Sequence, residues 1–186
     1  MKMRLFIVII IMIISGSILL YLSTGKLLAS DWKSMSPIFD GNAGNVKLHF
    51  EHCKGYDHIT NWKGVTGAEK MKKNFKSKQW TKAEEVWTGY GIVTIYRWYF
   101  DCPEDAVLYP ETNLVTGSMM FPGWANNSSE LPKWADKAFV GDKTCWLSSD
   151  TLIFTKGKVL VRIDVNPPTL GKDYTQKIAE NIVKKL

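Results

Sequence analysis

The stretch TLIFTKGKVLVRIDV, residues 151 to 165, decides how the fold of this chain is interpreted. Two runs rich in β-branched and apolar residues flank the short connection Lys156-Gly157, which is typical of an antiparallel hairpin. In the second run, apolar residues occupy every other position, the period of a strand with one buried side. The sequence therefore predicts strands at 151–155 and 158–165. A helix at 173–186 should follow, with Ile178, Ile182 and Val183 on one apolar stripe.

The same order of elements is predicted earlier in the chain. A strand at 84–88, a glycine turn at 89–91 and the run IVTIYRWYF at 92–100 precede a helix that begins at Pro103, where proline suits the first turn. Asp101 is predicted to cap this helix. Two strand–strand–helix units predict an α+β fold, an antiparallel sheet with helices packed on one face. The units share little sequence, so the repeat is predicted only as an order of elements.

Two further elements are predicted before these units. Val46, Leu48 and Phe50 alternate with polar residues, which predicts another half-buried strand. Residues 66–77 predict a short basic helix. Together with the units above, these elements place one domain at residues 31–186, a common domain length.

The first 30 residues predict export. Lys2 and Arg4 precede an apolar run at 5–22 that is interrupted only at 15–17. This pattern indicates a secretory signal peptide or an uncleaved N-terminal membrane helix, and a buried core helix is the third alternative. The basic residues before the run place the N-terminus in the cytoplasm. The domain at 31–186 should then face the outside, either anchored to the membrane or secreted.

The charge distribution indicates which classes of partner this chain is expected to bind. The net charge is +6, and part of this excess comes from Lys2 and Arg4. Only Arg97 and Arg162 occur as arginines in the rest of the chain, although bidentate recognition of phosphate or guanine favours arginine. We therefore expect no nucleic-acid partner. The expected partners are the membrane, through the N-terminal helix, and a cell-envelope ligand or protein.

Three cysteines, Cys53, Cys102 and Cys145, belong to the domain that is expected to be exported. In an oxidising compartment, one disulfide and one spare thiol are the simplest interpretation. Every pairing remains open, and three separate buried thiols are the alternative.

The stretch HFEHCKGYDH, residues 49 to 58, contains all three histidines. If its first half is a strand, His49 and Glu51 share one side and His52 points to the other. His58 could return through a turn at Gly55, which makes His49, Glu51 and His58 the candidate metal ligands. The alternative is a solvated strand end whose cysteine forms a disulfide. A Cys53–His52 catalytic pair is rejected because neighbours on a strand face apart.

Tryptophans are the third kind of candidate. Eight occur in the chain, and four of them fall in polar or loop segments: Trp62, Trp80, Trp124 and Trp134. If exposed, such side chains suit stacking on sugar rings or contact with a partner. The alternative is that they pin irregular loops to the sheet.

The segments around the two units resemble a known group of proteins. Gly141-Asp142, LIFTKGKVLVRIDV (152–165) and IAENIVKKL (178–186), together with GYG (89–91) and IVTIYRWYFDCPEDA (92–106), carry the likeness. They resemble bacterial exported domains of unassigned function, which in turn are similar to extracytoplasmic sensor domains of some bacterial Ser/Thr kinases. The resemblance covers residues 80 to 186. It implies an anchored or secreted α+β binding domain and supplies no catalytic residues.

These observations together predict a function class. We expect an extracytoplasmic binding or sensor-like domain with no catalytic residue and no cofactor. The alternative is a metal-binding protein or metal-dependent enzyme centred on His49, Glu51 and His58. A scaffolding protein of the cell envelope is the third possibility.

Overall fold

The computed structural model describes residues 45–55, 67–88, 91–117, 119–135, 138–166 and 171–186, and all structural statements below concern these ranges. The predicted signal peptide or anchor, residues 1–30, lies outside them. Within these ranges, no helix has both the length and the apolar character needed to cross a membrane.

Six strands and four α-helices make up the described regular structure, together with three short 3-10 helices. In chain order the main elements are β1 (Asn45–Lys54), α1 (Ala68–Asn74), β2 (Gln79–Thr88), β3 (Ile92–Tyr99), α2 (Pro103–Leu108), α3 (Asn113–Thr116), β4 (Lys143–Trp146), β5 (Thr151–Lys156), β6 (Val159–Asn166) and α4 (Gly171–Lys185). The 3-10 helices are Tyr109–Glu111, Ser128–Glu130 and Lys133–Ala135. The strands form one sheet in the order β1–β2–β3–β6–β5–β4, and every neighbouring pair is antiparallel. The predicted α+β class and antiparallel sheet are confirmed.

One face of the sheet is covered by α4. Ile178 and Ile182 of this helix pack in one buried cluster with Ile95 of β3 and Ile163 of β6. Ile95 and Ile163 are partners in the register, so they point to the same side, which we call the α4 face. The amphipathic stripe of the C-terminal helix, predicted from its sequence, therefore packs on the sheet as expected.

The opposite face carries the remaining helices, which corrects the prediction that all helices pack on one face. Tyr109, which follows α2, packs with Trp80, Trp98 and Phe100 in a second buried cluster. Trp98 alternates with the α4-face residues of β3, so this is the other side of the sheet, the α2 face. The sequence signal for two covered faces was the uninterrupted apolar run of β5, which is typical of a strand buried on both sides.

The predicted repeat holds as an order of elements but not as a symmetric arrangement. β2, β3 and α2 are followed later by β5, β6 and α4, as expected. However, α2 and α4 lie on opposite faces. A two-fold axis perpendicular to the sheet would relate the antiparallel neighbours β3 and β6 but would leave both helices on one face. The two units are therefore not related by symmetry.

Two acidic residues near α2 have roles that the sequence did not indicate. Asp101 does not cap the helix. Its Oδ2 accepts hydrogen bonds from the backbone N–H groups of Lys78 and Gln79, each at 3.0 Å. Asp105 is fully buried and accepts a bond of 2.6 Å from the Ser77 N–H. Asp101 therefore ties the segment that enters β2 to the residues just after β3, and Asp105 ties the same segment to α2.

The Gly141-Asp142 pair is also structural. Gly141 has a φ of 72°, and a Cβ atom there would lie 2.2 Å from the Thr155 carbonyl oxygen. Only glycine fits this close approach to β5. Asp142 accepts a hydrogen bond of 2.6 Å from the Gly157 N–H in the β5–β6 turn. This part of the resemblance therefore reflects hairpin geometry rather than a site.

Candidate functional site

The strand predicted at 46–51 is confirmed as part of β1, and it separates the histidines as the alternation requires. His49 and Glu51 share the α2 face, where their register partners on β2 are Glu84 and Lys82. His52 points to the other face and its Nδ1 lies 3.0 Å from Thr81 Oγ1. The two candidate metal ligands on β1 therefore lie on one side of the strand.

The third predicted metal ligand, His58, lies outside the described residues, so the trio stays a prediction. Among the residues that the structure does describe, no three His, Cys, Asp or Glu side chains are grouped to hold a metal ion. The positively charged Lys82 lies directly opposite Glu51 on the neighbouring strand β2. Such cross-strand charge pairs stabilise a sheet without any ligand.

The predicted disulfide is wrong: all three cysteines are free thiols. Cys53 lies on β1 and Cys145 on β4, the two edge strands of the sheet. Five strand spacings of about 4.8 Å separate them, whereas a disulfide requires Cα atoms within about 7 Å. Cys102 precedes α2, beside the hydroxyl of Ser77. The sheet order therefore keeps the cysteines apart.

Burial also makes these thiols weak nucleophiles. Burial, followed by the nearby Glu51 carboxylate, raises the pKa of Cys53 to about 11. Burial alone raises the pKa of Cys145 to about 12. Because the thiolate is the form that attacks electrophiles and binds metals, both cysteines are protonated and inert near neutral pH. They act as small apolar side chains in the core.

Trp80 is a core residue rather than a loop residue. It lies on β2 and is only 4% exposed. Its ring is tilted against Phe100 and packs edge-on against Phe75 and Tyr109. The alternative interpretation, in which tryptophans pin connecting segments to the sheet, describes it correctly. Trp62 and the side chain of Trp134 lie outside the described part of the structure.

Trp124, one of the tryptophans predicted to contact a ligand, borders a cleft and is partly exposed. The cleft has a volume of about 290 Å³ and lies at the β4 edge of the sheet. We call it the Trp124 cleft; it is lined by Trp124, Leu131, Pro122, Pro132, Glu130 and Trp146, among others. Trp124 is partly exposed, its indole N–H donates a bond of 2.9 Å to the Val107 carbonyl, and Phe121 packs edge-on against it. The ring is therefore held in place while part of its surface remains accessible.

The polar groups around the Trp124 cleft are already hydrogen-bonded. The indole N–H of Trp146 donates to the Ala138 carbonyl at 3.0 Å. The Glu130 carboxylate accepts bonds from the backbone and side chain of Asn126 and from the side chain of Asn127. The backbone N–H of Asn126 is the main cause of a lowered pKa at Glu130. The polar side chains of the cleft thus have partners within the protein, and they lie beside aromatic and proline rings.

A second hollow adjoins this cleft through the Phe121–Pro122 connection. It has a volume of about 680 Å³ and is lined by Met119, Met120 and Phe121, with polar groups from Glu111 and Asn113. Met120 is 88% exposed. The sequence did not single out these methionines, although two adjacent methionines in an irregular polar segment were a signal.

Neither a protein-family model, nor a curated protein, nor a solved structure matches this chain. The resemblance to exported sensor-like domains therefore stays a prediction, and the function has to be argued from the chemistry of the sites.

Proposed function

We propose that this chain is a non-catalytic extracytoplasmic binding domain, membrane-anchored or secreted, that holds a cell-envelope ligand in the Trp124 cleft. The observation that carries the proposal is the accessible ring of Trp124, fixed by the bond to Val107 and by Phe121. A rigid aromatic ring gives a large contact area with little loss of conformational entropy.

The chemistry of the cleft favours a ligand with an uncharged ring face. The Glu130 carboxylate is already hydrogen-bonded to Asn126 and Asn127, and the two indole N–H groups donate to backbone carbonyls. A sugar ring offers an apolar face for stacking and hydroxyl groups at its edge. The adjoining hollow beside Met120 adds length, which suits an oligosaccharide better than a single sugar. Soluble wall fragments are therefore the first ligands to test.

The raised pKa values of Cys53 and Cys145 support a binding role rather than nucleophilic catalysis. The apolar N-terminal run supports a location outside the cytoplasm.

Calorimetric titration of the full chain with soluble peptidoglycan fragments tests this proposal. Trp124→Ala should weaken binding about 30-fold, because a central aromatic anchor contributes about 2 kcal/mol. Phe50→Ala is the matched control. Phe50 is an aromatic residue that is 36% exposed on β1, at the opposite edge of the sheet.

The control should bind as the unchanged protein does. Equal affinity in the Trp124→Ala protein, or no binding across a panel of wall oligosaccharides, would contradict the proposal.

A further inference from the structure

The two edges of the sheet are protected differently. At the β4 edge the strand has only four residues, and the segment around Ala125 covers its outer side. The Ala125 N–H donates to the Thr144 carbonyl at 2.8 Å, and the Thr144 N–H donates to the Ala125 carbonyl at 3.0 Å. At the other edge β1 has ten residues, and within the described ranges it pairs only with β2. Among the described strands, β1 is therefore the edge that is open to a further strand.

Alternate residues of β1 direct their backbone groups away from β2. The Gly55 N–H, just after the strand, donates to the Lys78 carbonyl at 2.8 Å, and these two residues continue the register of the β1–β2 pair. Odd-numbered residues of β1 therefore face β2, and the N–H and C=O groups of even-numbered residues point outward. No described residue hydrogen-bonds to these outward groups. They form a regular edge, without proline or a bulge, from Val46 to Lys54.

The side chains along this edge are accessible and carry charges of both signs. Lys47, His49 and Phe50 are exposed, and Glu51 is partly exposed. A row of lysines alone would repel a second copy of the same strand. A strand with both signs is complementary to itself, provided that one register brings the opposite charges together.

One antiparallel register meets this condition. If a two-fold axis passes through His49, Lys47 of each copy lies opposite Glu51 of the other copy. Leu48 of each copy then lies opposite Phe50 of the other, on the α4 face. The outward backbone groups of the even-numbered residues face each other in this register, as a hydrogen-bonded ladder requires. Moving the axis by one residue in either direction breaks the match between Lys47 and Glu51.

We propose that β1 pairs with β1 of a second copy of this chain, in the register centred on His49. The two six-stranded sheets then continue into each other. On the α2 face, Glu51 lies between Lys82 of its own copy and Lys47 of the other copy, and such cross-strand pairs of opposite charge stabilise a sheet. The Trp124 clefts lie at the far edges, so this pairing does not depend on the proposed function.

Cross-linking of the purified full chain in mild detergent tests the register. His49→Cys places one thiol from each copy at the two-fold axis, where the Cα atoms of an opposed pair without hydrogen bonds lie about 4.5 Å apart. That distance allows a disulfide. Lys47→Cys is the matched control, because its two thiols would lie four residues apart along the strands, about 13 Å. Mild oxidation should link the His49→Cys chains into dimers, whereas the Lys47→Cys chains and the unchanged protein should stay unlinked.

Sedimentation equilibrium of the full chain measures the strength of the pairing. Lys47→Glu turns two attractive pairs into two repulsive ones, so it should weaken dimerisation about ten-fold. Lys177→Glu is the control, since it makes the same charge change at an exposed position of α4 and should leave the dissociation constant unchanged. Mixing Lys47→Glu chains with Glu51→Lys chains should restore dimers, because each pair then again joins opposite charges.

Three results would overturn the proposal. The first is that His49→Cys gives no more linked dimer than Lys47→Cys does. The second is sedimentation of the unchanged chain as a monomer at every concentration. The third is an equal loss of dimer in Lys47→Glu and Lys177→Glu.

Discussion

The Trp124 cleft, at the β4 edge of the sheet, and the buried Glu85–Arg97 pair, on β2 and β3, differ in how their polar groups are satisfied. Around the Trp124 cleft, the indole N–H groups and Glu130 all have hydrogen-bond partners. On β3, the described structure leaves the guanidinium donors of Arg97 without hydrogen-bond acceptors although the side chain is fully buried. The polar groups are therefore paired in the first region, whereas the guanidinium donors of the second are not.

The two regions differ in pairing rather than in residue type. Each contains a tryptophan and an acidic residue, Trp124 and Glu130 in the first and Trp87 and Glu85 in the second. Whether a polar side chain is paired depends on the contacts that the sheet and its loops provide.

The largest effect is expected from Glu85→Gln, which removes the charge that compensates Arg97. Removing one partner of a buried ion pair typically lowers the free energy of unfolding by about 3–5 kcal/mol. Glu130→Gln at the Trp124 cleft is the matched change, and it should leave the free energy of unfolding nearly unchanged because Glu130 is exposed. Chemical denaturation of both variants measures the contrast.

A double variant, Glu85→Leu with Arg97→Met, removes both charges and should recover most of the stability lost in Glu85→Gln. If Glu85→Gln lowers the free energy of unfolding no more than Glu130→Gln does, the buried ion pair does not have the stabilising role expected here.

The next effect separates the two predicted ligand-binding tryptophans that the structure describes fully. Trp80→Ala should lower the free energy of unfolding by about 3–5 kcal/mol, since it removes a buried ring from the α2-face core. Trp124→Ala should lower it by only about 1–2 kcal/mol, for one hydrogen bond and partial packing. Urea denaturation distinguishes them. Equal losses would make Trp124 a core residue and weaken its assignment as a ligand contact.

The smallest effect concerns the two buried cysteines, Cys53 and Cys145. The raised pKa values of Cys53 and Cys145 keep both thiols protonated at pH 8, so a thiol reagent should modify them far more slowly in the folded protein than in denaturant. Denaturation should reveal three thiols.

The pH dependence of the free energy of unfolding has a definite sign. In the folded state both thiols stay protonated at pH values above the usual thiol pKa of about 8.5, whereas in the unfolded state they ionise there. The free energy of unfolding should therefore fall as the pH rises from about 8.5 toward 11. Reagent kinetics and denaturation at several pH values measure both effects. Rapid modification of Cys53 or Cys145 at pH 8 would contradict their burial.

Local patterns predicted most of the regular structure. The β5–β6 hairpin, β3 and α4 were indicated by period-two alternation, by a glycine in the turn and by an apolar stripe. These signals depend on neighbours within a few residues. The face on which α2 packs was not predicted, because a short helix after a strand can pack on either side with the same local sequence.

The candidate sites were harder to predict from the sequence than the regular structure was. The separation of His49 from His52 followed from alternation alone and is confirmed by the register. The disulfide prediction failed because chain position does not reveal that Cys53 and Cys145 lie on the two edge strands. Arg97 was noted only as one of two arginines, since nothing in IVTIYRWYF indicates that its donors lack acceptors.

The sequence by itself determined most of the strands, the β5–β6 hairpin, the C-terminal amphipathic helix and the α+β class, because each depends on periodicity along the chain. Only the tertiary structure decided which residues meet: Glu85 with Arg97, Trp80 with Tyr109, and Trp124 with the Val107 carbonyl. These contacts join strands and loops that are distant in sequence. Sheet order and register set them, and both depend on how the whole core packs.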